Sequence, residues 1–313
     1  MYYYFLINQA LMTAFIFPGQ GSQFVGMSKD FHDNFNEAKT VFEEISDYVE
    51  IDLKRLIFDD NENLLNLTNY TQISIFTASI AIFKTLEAIG EFDLSEKDIM
   101  LGHSLGEYTA LLCSKKIDLK ECSQILKKRG ELMHTTVEPN KSGMAALIGC
   151  NAKTIEKIIF ENKMNLEIAN DNSPLQVVIS GSTEEIDKNE NIFLKNNIKR
   201  FVKLNVSAAF HSHYMQKAQN SLASLIENIN FKSNNIKIIS NYSASASNDE
   251  NILKNNLKNQ MANKVRWTES IENLEKIGEN KIIEIGPGKV LSGLIKRISN
   301  TFDIRSISKT SDI

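Results

Sequence analysis

Short runs that are wholly or mostly apolar recur along the chain and end at Gly, Pro or a polar loop. They cover residues 14–17 and 99–101, which are continuous, and 236–240 and 281–285, which each contain two polar residues. Runs of this length without polar alternation are typical of strands that are buried on both faces, as in a parallel sheet covered by helices. The pattern therefore predicts strands of one buried, mainly parallel sheet. The polar stretch at 243–251 is predicted to be a loop.

Segments with helical spacing of apolar residues lie between these strands. One covers residues 71–89, where Thr71 is a suitable N-cap and Gly90 a suitable stop. This segment has so few polar residues that we expect its helix to be largely buried. A second helix is predicted from Glu107 to Cys113, directly after the second strand. Strands that alternate with helices indicate an α/β domain.

The pattern changes in the middle of the chain to a series of short elements. They are a strand at 144–148, a helix at 152–161, strands at 166–169 and 176–180, a helix at 183–195 and a strand at 200–204. This β-α-β-β-α-β order is the ferredoxin-like unit, and Pro139 and Gly143 mark its beginning. We predict a ferredoxin-like subdomain at residues 139–205, inserted into a larger domain formed by residues 12–138 and 206–313.

Length and composition allow a sizeable core but restrict the partners. The chain has 313 residues, of which 42% are hydrophobic, and its formal net charge is -4. Binding to nucleic acid requires a basic face, so we expect no nucleic-acid partner. Any anionic substrate must be held by local positive charge.

The first residues and the cysteines indicate a reducing compartment. Residues 1–12 are apolar and aromatic but lack a basic region and a small-residue cleavage site, so no secretory signal is predicted. We expect residues 1–11 to lie outside the fold, and no later stretch is long enough for a membrane span. The chain has three cysteines without Cys-x-x-Cys spacing, which favours buried thiols: Cys113, Cys122 and Cys150. We therefore predict a cytoplasmic protein with no membrane partner.

The segment Gly102-x-Ser104-x-Gly106 matches the nucleophile-elbow pattern. In that motif, small flanking residues permit a strained turn that presents a serine hydroxyl at the end of a strand. The pattern alone is weak because it also occurs by chance. Its position between a predicted strand and a predicted helix makes Ser104 the candidate nucleophile.

A serine hydroxyl needs a base that removes its proton, and histidine is the usual one. The chain has five histidines, of which His211 and His213 lie in the loop after the last strand of the subdomain. The contexts of the others favour structural or solvated side chains: His32, His103 and His134. The His-x-His spacing also fits a metal site, although no third ligand has recognisable spacing. The residues alone leave these alternatives open.

Two further segments, at residues 19–21 and 127–131, could bind an anion, but their sequence context favours other interpretations. Gly19-Gln20-Gly21 resembles a phosphate-binding loop, but Phe24 stands where a dinucleotide fingerprint needs its third glycine and no Walker lysine follows. We expect this loop to direct a backbone N–H toward an oxyanion instead. Arg129 lies in a charged run at 127–131, and composition alone favours a solvated helix face for it.

Several blocks in order and in register resemble malonyl-CoA:acyl carrier protein transacylases. They are Phe17-Pro-Gly-Gln-Gly-Ser-Gln23, Gly102-His-Ser-Leu-Gly-Glu-Tyr108, Lys128-Arg-Gly130, Phe210-His-Ser212, Gln260 with Trp267-Thr268, and Glu284-Ile-Gly-Pro-Gly288. The resemblance runs from Thr13 to the end of the chain. It implies an α/β, hydrolase-like core with a mainly parallel sheet and an inserted ferredoxin-like subdomain.

The resemblance also assigns roles to particular residues. It implies that Ser104 is acylated and that His211 is the base for attack and the acid for the leaving thiol. A backbone carbonyl near Gln260, not a carboxylate, would orient this histidine. The backbone N–H groups of Gln20 and Leu105 would form the oxyanion hole.

The same resemblance changes the interpretation of Arg129. It implies that its guanidinium binds the carboxylate of a malonyl thioester, whose planar geometry suits a bidentate contact. Phe210 directly before His211 resembles the malonyl-selecting form of the family. Ala208 and Ala209 depart from the family, which commonly has a glycine or proline there.

The implied partners are malonyl-CoA and acyl carrier protein, with no metal and no other cofactor. We expect a monomer that supplies fatty acid synthesis. An acidic carrier protein needs a basic docking patch. The candidates are Lys195, Lys199, Arg200 and Lys203, with Lys296 and Arg297 as a second group, and exposed solubilising side chains are the alternative interpretation.

Two rival functions fit parts of the same sequence. A serine hydrolase would use the same nucleophile but release its acyl group to water. A catalytically silent scaffold would bind carrier proteins without reacting. The set of Ser104, His211 and Arg129 argues against the scaffold, because a silent module has no chemical need for all three.

Overall fold

The computed structural model describes residues 12–138 and 140–313. Two interpretations lie outside the described residues, namely that residues 1–11 precede the fold and that Pro139 marks the beginning of the subdomain. The strands are β1 (Ala14–Phe17), β2 (Ile99–Gly102), β3 (Ser142–Ile148), β4 (Leu166–Ser173), β5 (Gln176–Ser182), β6 (Arg200–Lys203), β7 (Lys237–Ile239), β8 (Ala246–Ser247), β9 (Lys281–Ile285) and β10 (Asp303–Ile307).

Helices connect and cover these strands. They are α1 (Lys29–Asn34), α2 (Asn36–Val49), α3 (Leu53–Phe58), α4 (Thr68–Ala88), α5 (Gly106–Cys113), α6 (Leu119–Thr135), α7 (Ala152–Glu161), α8 (Thr183–Lys195), α9 (Gln216–Glu227), α10 (Glu250–Lys258), α11 (Trp267–Ile277) and α12 (Val290–Ile298). Within the described ranges, none of them combines the length and the apolarity that crossing a bilayer would require.

A six-stranded sheet forms the larger part of the molecule, in the order β10-β9-β1-β2-β7-β8. All its pairs are parallel except β7 with β8. Strands β1 and β2 are in register, so that Phe17 lies opposite Gly102 where both strands end. The loops that follow these two strands therefore emerge side by side, and they carry Gln20 and Ser104.

The second sheet has four strands in the order β4-β5-β3-β6, and all neighbours are antiparallel. Helices α7 and α8 pack against it around a separate apolar cluster that includes Ile155 and Phe193. Both helices have the predicted bounds, with side-chain caps from Asn151 and Ser182. The predicted fold class is confirmed: a parallel-sheet α/β core with a ferredoxin-like unit. The domain boundaries themselves stay a prediction.

The two sheets are joined next to the loop that carries the candidate histidine. Val265 of the core pairs with the edge of β4, donating to the carbonyl of Ala169 at 2.8 Å and accepting from the N–H of Asp171 at 3.0 Å. The hydroxyl of Ser180 donates to the carbonyl of Phe210 at 2.6 Å. The subdomain thus holds the backbone immediately before His211.

Three sequence-based details differ from the structure. Helix α4 begins at Thr68, so Thr71 is not its N-cap; instead its hydroxyl donates to the carbonyls of Leu65 and Leu67 inside the first turn. The helix is largely buried, as predicted. The stretch at 243–251 is not simply a loop, because it contains β8 and the start of α10. Strand β10 was not predicted, since its exposed polar residues interrupt the apolar run.

Candidate active site

Ser104 lies in a tight turn between β2 and α5, in the left-handed backbone region with φ of 53°. Two glycines permit this turn by close approach. A Cβ atom on Gly102 would lie 2.0 Å from the carbonyl carbon of Gly106, and one on Gly106 would lie 2.2 Å from the carbonyl oxygen of Phe17. The sequence x-Gly-x-Ser-x-Gly therefore folds here as a strained elbow that exposes the serine side chain.

His211 lies beside this serine, in the loop that follows the subdomain. Its Nε2 lies 2.8 Å from the Oγ of Ser104. Its Nδ1 lies 3.1 Å from the carbonyl oxygen of Gln260 and 3.2 Å from that of Asn263. Carbonyl oxygens only accept hydrogen bonds, so Nδ1 carries the proton and Nε2 is free to accept one from the serine. The tautomer is thus set by backbone carbonyls, without a carboxylate.

Burial keeps this imidazole neutral. Burial, and then the positive charge of Arg129, lower the pKa of His211 to about 3. An uncharged imidazole is the form that can act as a base.

Arg129 is buried, with only 1% of its surface exposed, so the surface position favoured by composition is wrong. Its Nη1 donates to Gln72 Oε1 at 2.6 Å, and its Nη2 donates to Ser104 Oγ and to Gln260 Oε1, both at 3.0 Å. The guanidinium also lies 5.5 Å from the centre of the Tyr108 ring. Its hydrogen-bond acceptors are neutral, and no carboxylate of the described residues lies within ion-pair distance of it.

The buried carboxylate of Glu107 accepts hydrogen bonds from two residues that contact Ser104, namely Gln260 and Asn241. Its Oε2 accepts from Gln260 Nε2 at 2.7 Å and from the backbone N–H of Asn241 at 3.0 Å. Burial raises the pKa of Glu107, which these donors and the nearby Arg129 oppose. Gln260 therefore links the carboxylate to the guanidinium, with one end of its amide toward each.

Sequence reasoning missed Gln72, Glu107 and Asn241. Each had a signal: Gln72 and Glu107 are isolated polar residues in otherwise apolar, buried helices. Asn241 follows a strand of the parallel sheet at the edge where active sites of such sheets lie.

A cavity of about 280 Å³ opens onto the serine and the histidine. Gln20 from the loop after β1, Asn172 from β4 and Leu291 from α12 all line it, so both sheets contribute to its walls. Among the described residues, the backbone N–H groups of Gln20 and Leu105 donate no hydrogen bond to protein. They are therefore available to a ligand.

His211 and His213 were both candidates for the base, and the structure places them in different surroundings. His213 pairs with the carboxylate of Glu167 on an exposed face and makes no bond to Ser104. His103 is buried, with its Nε2 2.8 Å from Asn172 Oδ1. No group of three or more His, Cys, Asp or Glu side chains in residues 12–138 and 140–313 is arranged to hold a metal ion.

The basic candidates for docking differ in their surroundings. Lys203 forms ion pairs with Asp187 and Glu190 on the subdomain. Arg297 instead donates to Oε1 of Gln176 at 3.1 Å, and Gln176 lines the cavity. The second group therefore includes one residue, Arg297, that contacts the lining of the cavity.

Comparison with known proteins agrees with this arrangement. The acyl transferase domain family matches residues 14–308, and the chain belongs to that family. It is 35% identical over 303 residues to a malonyl CoA-acyl carrier protein transacylase of Bacillus subtilis, covering 96% of this chain and 94% of the relative. The resemblance found in the sequence is thereby confirmed.

Two further relatives are similar over nearly their whole length. A polyketide biosynthesis malonyl CoA-acyl carrier protein transacylase of Bacillus subtilis is 37% identical, with 92% of this chain and 97% of the relative covered. A solved malonyl-transacylase in complex with its type II PKS acyl carrier protein superposes with a TM-score of 0.91 at 34% identity, covering 96% of this chain and 97% of that chain.

Proposed function

We propose that this protein transfers a malonyl group from malonyl-CoA to the phosphopantetheine thiol of an acyl carrier protein, through an ester on Ser104. The observation that carries the proposal is one hydrogen-bonded cluster of three side chains. Ser104 Oγ lies 2.8 Å from the base candidate His211 and 3.0 Å from the buried cation Arg129. We assign the roles of nucleophile, base and receptor for a carboxylate to these three side chains, which lie around one point.

In the first half-reaction, Ser104 Oγ attacks the thioester carbonyl carbon while His211 Nε2 takes the hydroxyl proton. The carbonyl oxygen becomes an oxyanion, which the unpaired N–H groups of Gln20 and Leu105 are available to bind. Each such donor is worth about 3–4 kcal/mol of transition-state stabilisation. The C–S bond then breaks, and the proton on His211 passes to the leaving sulfur of coenzyme A.

In the second half-reaction, the carrier thiol attacks the malonyl ester and gives its proton to His211. The ester C–O bond breaks, the proton returns to Ser104 Oγ, and the enzyme is restored. The proposed reaction is a ping-pong transfer whose steps require no metal or redox cofactor. The orientation of His211 by the carbonyl of Gln260 serves both steps, because the same tautomer is needed each time.

Malonyl selectivity is proposed to come from Arg129. A buried guanidinium whose acceptors are neutral retains its full charge and gains by pairing with a carboxylate. The distal carboxylate of a malonyl group supplies that partner, whereas an acetyl group does not. The proximity of Arg129 to Ser104 Oγ sets the short distance between ester and carboxylate that a malonyl chain spans.

The carrier protein is proposed to dock at the cavity mouth on basic residues such as Lys296 and Arg297, because Arg297 contacts Gln176 of the cavity lining. Exposed Val290 lines the same mouth and offers an apolar contact. We further propose a cytoplasmic monomer, a core of residues 12–138 and 206–313 with a subdomain at 139–205, and a role in fatty acid synthesis.

The test is release of coenzyme A from malonyl-CoA, with and without the phosphopantetheine-bearing carrier protein. Transfer predicts one equivalent of coenzyme A per enzyme without carrier, and continuous release with it. The alternative, a serine hydrolase, predicts continuous release without carrier. Equal steady rates in both conditions would overturn the proposal.

A further inference from the structure

Asn241 is placed to continue the parallel sheet beyond its last backbone pair. Strands β2 and β7 pair in register up to Leu101 opposite Ile239. Extending that register by two positions places Asn241 opposite His103, where the chain has already begun to turn. In a parallel ladder, a residue bonds the C=O before and the N–H after the residue opposite it.

The side-chain amide of Asn241 makes that pair of bonds. Its Nδ2 donates to the carbonyl oxygen of Gly102 at 2.7 Å, and its Oδ1 accepts from the N–H of Ser104 at 2.7 Å. These are the two backbone groups that flank His103. The amide thus replaces a peptide unit of the neighbouring strand at the elbow.

The amide itself is held rigidly. Only 1% of Asn241 is exposed. Its backbone N–H donates to Glu107 Oε2 at 3.0 Å, and its carbonyl accepts from the N–H of Arg266 at 3.2 Å. The support for Ser104 therefore comes from β7 and α5 together.

We propose that Asn241 is a positioning residue that holds Ser104 in its left-handed conformation and so directs the hydroxyl and the following N–H of Leu105 for reaction. A non-glycine residue in this region is strained and persists only when its surroundings fix it. The bond to the Ser104 N–H constrains the backbone on one side. Gln260 Nε2 constrains the other by donating to the Ser104 carbonyl at 2.9 Å. This inference rests on the proposed use of Ser104 as nucleophile.

The decisive variant is Asn241→Asp. Its ionised carboxylate still accepts from the Ser104 N–H but repels the Gly102 carbonyl, whereas its protonated form again donates to Gly102 and accepts from Ser104. Burial and the neighbouring Glu107 both favour the protonated form at lower pH. The other titratable groups around the elbow, His103, His211 and Arg266, are the same in variant and parent. Since the pKa of His211 is lowered to about 3, the base stays neutral while the introduced carboxyl titrates.

The measurements are the rate of malonyl loading onto Ser104 and its KM, together with phosphonylation of Ser104 by a fluorophosphonate that needs neither Arg129 nor malonyl. At about pH 8, Asn241→Asp should slow both reactions about 100-fold with KM little changed. Below pH 8, the loading and phosphonylation rates of Asn241→Asp should both rise by up to about tenfold for each unit by which the pH falls. Asn241→Ala should be slow at every pH.

The control is Asn256→Asp, which puts the same charge at a buried site on α10 where the amide donates only to Ser243 Oγ. Thermal melting of each variant establishes that it is folded. Rates for Asn241→Asp equal to those for Asn256→Asp, a defect that does not change with pH, or an Asn241→Ala protein as fast as the parent would each overturn the inference. A parent that is phosphonylated but takes no malonyl would overturn the proposed function instead, and the phosphonylation arm would still test Asn241.

Discussion

Arg129 donates a hydrogen bond from Nη2 to the Oγ of Ser104 at 3.0 Å, and thereby joins helix α6 to the turn between β2 and α5. The guanidinium therefore lies within hydrogen-bond distance of the proposed nucleophile, and a substrate that reacts with the serine would also contact the cation. Among the described residues, the other acceptors of Arg129 are the amide oxygens of Gln72 and Gln260, so the guanidinium forms no direct ion pair there.

Arg129→Ala tests this relationship. Loss of one partner of a desolvated charge pair costs about 2–5 kcal/mol, or about 30-fold to several thousand-fold in rate. We expect kcat/KM for malonyl-CoA to fall within that range while kcat/KM for acetyl-CoA falls far less. Lys128→Ala is the matched control, since Lys128 is exposed on the same helix and its one ion pair within residues 12–138 and 140–313 is with Glu131. Equal losses for both substrates would contradict the account.

Gln260→Ala separates the side chain of Gln260 from its backbone. The variant removes the amide between Glu107 and Arg129 but retains the carbonyl that accepts from His211 Nδ1. We expect kcat/KM for malonyl-CoA to fall about tenfold or more, because a hydrogen bond to a charged group is lost. The pH at which activity declines should stay unchanged. Asn259→Ala, which removes an amide bonded to Asn255, should leave both quantities unaltered. A shift in the acid limb would show that the side chain acts on the histidine instead.

The pH dependence of Ser104 loading tests the lowered pKa of His211. Its folded-state pKa is lowered from 6.5 to about 3, so the neutral base persists as the pH falls through the range in which an ordinary histidine becomes charged. Loading of Ser104 by malonyl-CoA should therefore remain nearly constant from neutral pH to about pH 5, with an acid limb only below it. Stopped-flow release of coenzyme A across this range measures the profile. An acid limb centred on the ordinary histidine pKa would contradict the burial argument.

The close packing of Gly102 against Gly106 leads to a prediction about the stability of the fold. In Gly102→Ala the new methyl group would lie 2.0 Å from the carbonyl carbon of Gly106, which is backbone that cannot move without shifting α5. We expect the free energy of unfolding to fall by about 3 kcal/mol or more. Gly293→Ala is the control, because nothing lies within 4 Å of the added atom in that helix. It should gain about 0.5–1 kcal/mol. Denaturant midpoints measure these changes in the free energy of unfolding. Equal midpoints for Gly102→Ala and the parent would contradict the predicted steric conflict.

Much of the fold was predictable because its signals are local. The buried strand Ala14–Phe17 is a short apolar run closed by Pro18 and Gly19, and helices α7 and α8 have the predicted bounds. Strand β10 escaped prediction because it lies at the sheet edge, where alternate residues are exposed. An edge strand does not need the continuous apolar run that marks a central one.

The candidate site was predictable only in part, since most of its contacts join distant segments. The elbow at Ser104 is a local pattern, but nothing local distinguishes His211 from His213. The family resemblance favoured His211, and the structure brings only His211 to the serine. The burial of Arg129 depends on Gln72 and Gln260, 57 and 131 positions away, which composition cannot reveal. The role of each residue stays a proposal until it is measured.

The intact mass of the protein after incubation with malonyl-CoA alone shows whether Ser104 forms an acyl-enzyme. We expect the parent to gain one malonyl group, Ser104→Ala to gain none, and Ser207→Ala, which removes a hydroxyl bonded to Thr68, to gain one like the parent. A parent that gains no mass, or a Ser104→Ala protein that still gains a malonyl group, would contradict an acyl-enzyme on Ser104.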